Sequence, residues 1–153
     1  MQPDMFANGL PPVLRTLGAE IVSREDDRAV LRFPVLKEFT NPRGHVQGGI
    51  VAAMMDGAMA VAASGLATAT MQFSLLRPAT GGSLTVSAEV VKRGRQLLYC
   101  EAEVRDDEGR LIARGNQNAP CRSSQPRRPA FPAHGKAPDS SGAFHAVLGI
   151  QGL

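Results

Sequence analysis

An α+β fold, in which a curved antiparallel sheet wraps around one long central helix, is predicted by three features of this chain. Residues 48–64 (GGIVAAMMDGAMAVAAS) have the length of a helix and are apolar nearly all round, which places the segment inside a core. From residue 67 to residue 117 the chain alternates apolar and polar residues in short runs separated by turn residues, the pattern of a strand meander. No other segment is long enough to cover such a helix, so the sheet has to curl around it.

Taken in order, residues 5–17 (MFANGLPPVLRTL) predict a short helix after Pro11 and Pro12, packed as a lid or edge element. Residues 19–26 and 28–35 read as two strands around a turn at Asp26–Asp27, with Ala29, Leu31 and Phe33 on one face. A polar loop, LKEFTNPRGHVQ, leads into the central helix, which is Ala-rich where neighbours must approach closely, at Ala52, Ala53, Ala58, Ala60, Ala62 and Ala63. Strands follow at 67–78, ending at Pro78, and at 83–94 after the Gly81–Gly82 turn. The next, 96–106, carries Leu98, Cys100, Ala102 and Val104 on one face, and the Asp107-Glu108-Gly109 turn leads to a last strand at 110–117.

A chain of 153 residues is one domain's worth and can build a genuine core. We place the folded domain at 1–118 and read 119–153 as a disordered or loosely attached tail. It holds five of the eleven prolines, many Ser and Gly, and a short apolar hook at 144–150. The net charge of +3 resides in that tail, where four bases face one acid, which leaves thirteen bases and thirteen acids in 1–118. With a neutral domain, no Trp and a single Tyr, a nucleic-acid partner is poorly supported. The apolar run is too short and too rich in Ala and Gly to span a bilayer, and the N-terminus lacks a signal-peptide pattern. Cys100 and Cys121 then read as free thiols in a reducing compartment, with the cytoplasm as the expected location.

The chemistry begins at Asp56, the one charge in the apolar helix. A buried carboxylate is costly unless hydrogen-bonded or paired, and its environment can tune it for acid, base or nucleophilic work. A satisfied structural Asp is the alternative. At the helix start, Gly48 and Gly49 can offer unsatisfied N–H groups and the positive end of the dipole to a carbonyl, or simply shape a tight loop. Gly48 and Asp56 stand eight residues apart, about 12 Å along a helix, so one small reacting group cannot touch both. If both act, the site must join the helix start of one chain to the Asp of another, and a two-fold pair of antiparallel helices does this twice.

The order N-x-x-G-x-x-x-G-G (Asn41, Gly44, Gly48, Gly49), an apolar helix with one acid, LLRP at 75–78, Gly94-Arg95 and D-x-x-G-R at 106–110 resembles the hotdog-fold thioesterases, in particular the phenylacetate-degradation type. The resemblance covers roughly residues 15–117. It implies hydrolysis of an acyl-CoA thioester by a homodimer or dimer of dimers. No metal and no cofactor is expected beyond the coenzyme A of the substrate. It places the general base or nucleophile on Asp56, the carbonyl-polarising N–H on Gly48 with Gly49 beside it, the loop Asn on Asn41, and a water-positioning hydroxyl on Ser74. Where the family often has His before the Gly pair, this chain has Gln47; His45, two residues earlier, points elsewhere by alternation. Arg77, Lys92, Arg93 and Arg95 are candidates for the coenzyme's phosphates, against the simpler reading of solvated turns. Met54, Met55, Met59 and Phe73 are candidates for the acyl pocket, against plain core packing. A hotdog dehydratase or hydratase is disfavoured by Gln47, because those enzymes usually pair a His with the acid. A silent module that only binds thioesters is disfavoured by retention of Asp56.

Overall fold

The computed structural model describes residues 6–121. A short helix α1 (Pro12–Thr16) precedes strands β1 (Glu20–Glu25) and β2 (Arg28–Pro34), a 3₁₀ turn at Lys37–Phe39 and the central helix α2 (Gly48–Ala62). Strands β3 (Thr70–Leu75), β4 (Ser83–Arg93), β5 (Leu97–Asp106) and β6 (Leu111–Pro120) complete it. The six strands form one antiparallel sheet in the order β1-β2-β4-β5-β6-β3. The α+β class with a curved sheet around one helix is therefore what the chain adopts.

Local chemistry sets each boundary. Pro12 opens α1, where its fixed φ suits a helix and its missing N–H costs nothing. The chain leaves α2 through Ser64 (φ 59°) and Gly65 (φ 101°), and the Gly65 N–H reaches back 2.8 Å to the Ala60 carbonyl, satisfying an end group of the helix. Asp27 takes φ 61° in the β1–β2 turn that the Asp pair marks.

The core forms where alternation predicts it. Ala29, Leu31 and Phe33 of β2, Leu84 and Val86 of β4, and Leu98, Cys100, Ala102 and Val104 of β5 are buried against Val51, Met54, Met55, Ala58 and Met59 of α2. Gly57 lets Leu14 of α1 rest directly on α2; a Cβ there would collide with Leu14 Cδ2. Short α1 thus closes one side of the helix.

In one respect the wrap is incomplete. Helix α2 lies over β2, β4 and β5, while β3, the strand that follows it in sequence, is carried to the far edge beyond β6. Gly49, Ala52, Ala53, Asp56 and Ala60, spaced to share one helical face, stay partly exposed. On β3, Phe73 is 42% and Leu75 48% exposed although both lie on the helix side of the sheet. The sheet wraps the helix as expected and leaves one flank of the protomer open, apolar and bordered by an unpaired strand edge.

Two further details bear on the site. Gly115 of β6 faces Phe73 across the β3–β6 ladder, and a Cβ there would stand 2.6 Å from both the Gln72 carbonyl oxygen and Met55 Cε. Gly115→Val should lower the melting temperature by roughly 10 °C through overpacking, whereas Gly49→Ala, where a Cβ meets nothing within 4 Å, should not lower it. A calorimetric scan of both variants checks this pair. Strand β6 also runs past Gln117 to Pro120, with Ala119 buried and the Cys121 N–H donating to the Gln96 carbonyl, so the folded unit reaches residue 121. The remainder of the tail, with the 144–150 hook, lies outside the described residues.

Candidate active site

The loop before α2 is folded back on itself by its own polar groups. Asn41 Oδ1 accepts the N–H groups of Arg43 (2.9 Å) and His45 (3.2 Å), and the Asn41 N–H donates to the His45 carbonyl at 2.7 Å. Gly44, at φ +76°, makes the tight reversal possible. The Gln47 N–H donates to the Phe39 carbonyl and the Val46 N–H to the Ala79 carbonyl, each at 2.9 Å, which anchors the helix start.

This loop and the end of β3 enclose a groove of about 270 Å³ that contains Asn41, His45, Gly48, Leu75 and Arg77. The N–H groups of Gly48 and Gly49 are the first two of α2 and have no acceptor within the helix. Asn41 uses its carbonyl oxygen in the loop, which leaves its Nδ2 group without a partner among the described residues. A helix N–H at Gly48 and an amide N–H on Asn41 therefore share one groove with no carboxylate in its lining, an arrangement suited to a developing oxyanion. Leu75 crosses the helix start so closely that a Cβ on Gly48 would stand 2.5 Å from Leu75 Cδ1. Close approach of the flexible tip of Leu75, rather than a special φ, is what favours glycine there.

Asp56 is not part of that groove. It sits on the open stripe of α2, half-buried rather than enclosed, and accepts a 2.7 Å hydrogen bond from Thr68 Oγ1. Thr68 Oγ1 also lies 3.3 Å from Gln117 Oε1, and Gln117 is fully buried. Neither Thr68 nor Gln117 is singled out by the sequence reading. Nor is His45 given a place in the site, yet it lines the groove beside Asn41.

Several expected positions fall elsewhere. Met71, Phe73 and Leu75 point to the helix side of β3, so Ser74 lies on the outer face, opposite Arg114 and beside Glu103, away from Asp56. The hydroxyl that contacts Asp56 is that of Thr68. Met55 and Met59 are fully buried among core side chains, which gives them packing roles; Phe73 stands at the open flank. Gln47 is the residue preceding the first helical turn, exposed and without a side-chain capping bond. Arg77 lines the groove and donates to the Leu111 carbonyl at 2.9 Å. Arg93 is engaged by Asp27, which holds its guanidinium firmly protonated, and Arg95 is exposed in the β4–β5 turn. Burial pushes the Cys100 thiol up to about 11, so it is no nucleophile at neutral pH. No group of three or more metal-ligating side chains occurs among the described residues.

A sequence profile described as thioesterase superfamily matches residues 43–113, the span from the loop before α2 to the first residues of β6. A thioesterase family protein of Silicibacter pomeroyi is 31% identical in sequence and superposes with a TM-score of 0.70, covering 76% of this chain and 92% of that one. The chain belongs to the thioesterase superfamily. A phenylacetic acid degradation-related protein of Ralstonia eutropha JMP134 is also similar, at 29% identity and a TM-score of 0.69 over 73% of this chain and 91% of that one. So is the 1,4-dihydroxy-2-naphthoyl-CoA hydrolase of Listeria monocytogenes, 27% identical over 104 residues, 63% of this chain and 85% of that protein. The hotdog fold and the likeness to the phenylacetate-degradation type stand on these matches. A thioesterase needs oxyanion donors and a water or carboxylate nucleophile. This chain carries candidates for both, on opposite halves of one helix.

Proposed function

We propose that this protein is an acyl-CoA thioesterase, hydrolysing an acyl or aryl-acyl thioester to the free acid and coenzyme A in a site completed by a second copy of the chain. The observation that carries this reading is the division of the chemistry. Donors from Gly48 and Asn41 line one groove, while Asp56 sits eight residues along α2 on the open stripe, where it accepts a hydrogen bond from Thr68 in the segment before β3. Two copies that pair these stripes antiparallel about a two-fold axis bring the groove of each to Asp56 of the partner subunit. The same pairing covers Phe73 and Leu75 and occupies the free edge of β3.

In that site the thioester carbonyl oxygen is held by the Gly48 N–H and Asn41 Nδ2. Asp56 takes a proton from a water, whose oxygen attacks the carbonyl carbon; alternatively the carboxylate attacks directly and the resulting anhydride is hydrolysed. The carbon–sulfur bond of the tetrahedral intermediate breaks, and the departing thiolate is protonated from Asp56 or solvent. In this reading Arg77 on the groove rim and Arg95 in the exposed turn, with Lys92 near the latter, meet the coenzyme phosphates; their positions at the groove and in the turn support it. The reaction needs no cofactor besides the substrate's own coenzyme A, and the Listeria relative's name supplies a precedent for a CoA thioester.

Thiol release from short, medium, long and aromatic acyl-CoAs, measured beside the molecular mass in solution, tests the proposal. A dimer or tetramer that hydrolyses at least one class supports it. A folded dimer that binds acyl-CoA without releasing thiol would overturn it in favour of a binding module.

A further inference from the structure

Gln117 is a fully buried polar residue on the helix side of β6, set between Met71 of β3 and Cys100 of β5 in the ladder. An unpartnered buried amide group costs about 1–3 kcal/mol, and an apolar side chain of the same size would avoid that cost. Its Nε2 has no partner among the described residues, and the polar atom within reach of the amide is Thr68 Oγ1. Thr68 has one hydroxyl proton, and Asp56 Oδ1 at 2.7 Å takes it, since an ionised carboxylate only accepts. The hydroxyl therefore presents a lone pair toward Gln117. Amide oxygen and nitrogen have the same shape, and their orientation follows from their partners. With the amide turned so that Nε2 faces Thr68, one of its two N–H groups finds an acceptor where the opposite orientation satisfies none, and the carbonyl, the less costly atom to bury alone, lies on the apolar side.

We propose that Gln117 is a positioning residue for catalysis. Its amide N–H donates to Thr68 Oγ, which donates to Asp56, so a core residue fixes the carboxylate of a half-exposed helix face. This rests on the thioesterase reading, in which Asp56 acts on the thioester or on the attacking water. Thr68 lies in the exposed segment before β3, where nothing but these two contacts holds its hydroxyl. Without the buried anchor the hydroxyl is free to turn to solvent, and Asp56 loses its orientation. Small misplacements of reacting groups of this kind lower turnover without changing substrate binding.

The test is steady-state hydrolysis by Gln117→Met, Thr68→Val, the double variant and Thr68→Ser, with Asp56→Asn alongside. Gln117→Met should lower kcat about tenfold with KM within about twofold, an effect that a packing role would not separate in this way. The double variant should be no slower than Thr68→Val alone, because Gln117 acts through Thr68, and Thr68→Ser should retain most activity. Wild-type kcat in Gln117→Met, or losses that simply multiply in the double variant, would overturn the proposal. If Gln117→Met does not fold, Thr68→Val, altered only at an exposed position, still decides: unchanged kcat there also overturns it. Hydrolysis that survives Asp56→Asn would instead remove the thioesterase assignment of Asp56 itself.

Discussion

Asp56→Asn is expected to lower thioester turnover by about a thousandfold while leaving the melting temperature and molecular mass close to those of the wild type. Asparagine keeps the size of the side chain and an oxygen that can still accept the Thr68 hydroxyl at the 2.7 Å contact, so the local structure has no reason to change. What it loses is the ability to take a proton or to attack a carbonyl. Asp56 is half-exposed in the protomer, so the fold does not depend on burying its charge, and the two effects separate cleanly. Thiol release within about tenfold of the wild type would exclude Asp56 as base or nucleophile. A single turnover in ¹⁸O-labelled water then distinguishes the two routes. Attack by water puts the label directly into the released acid, whereas an anhydride intermediate opened at the Asp carbonyl leaves the first label on Asp56.

The central helix, the six strands after the prolines and the inward faces of β2 and β5 were legible because each has a regular period. Ala29, Leu31 and Phe33 alternate, and all three are buried. Strand order was not legible. The chain alone does not say that β3 crosses to the far edge beyond β6, and that displacement is what leaves Asp56 and Phe73 partly exposed rather than enclosed. Ser74 could have been set aside, since the alternation of Met71, Phe73 and Leu75 already sends it to the outer face. Thr68 lies in the run read as a strand from residue 67 yet precedes the first residue of β3, and His45 sits in an irregular loop, so alternation singles out neither. Gln117 did leave a signal: on the face shared by Ala113, Gly115 and Ala119 it is the lone large polar side chain, and a polar residue at an inward position asks for a partner.

Gly48→Pro is expected to remove about a hundredfold or more of turnover by deleting one donor while keeping the helix. Proline suits the first helical position, and Gln47, at φ −59° and ψ 134°, already has the extended backbone that a following proline requires. Its ring meets Leu75 Cδ1, the tip of a half-exposed side chain that can swing aside, so the cost in stability is small. Retained activity would exclude the Gly48 N–H as an oxyanion donor. The variant also makes the shared site testable. In a heterodimer of Gly48→Pro and Asp56→Asn chains, isolated with two different affinity tags, one site joins the intact Gly48 of one subunit to the intact Asp56 of the other. The second site carries both defects. Such a heterodimer should recover about half of wild-type activity although each parent homodimer is nearly inactive. A heterodimer no more active than its parents would mean that Gly48 and Asp56 serve the same chain, which their separation along α2 forbids for a single thioester, and the two-subunit site would have to be abandoned.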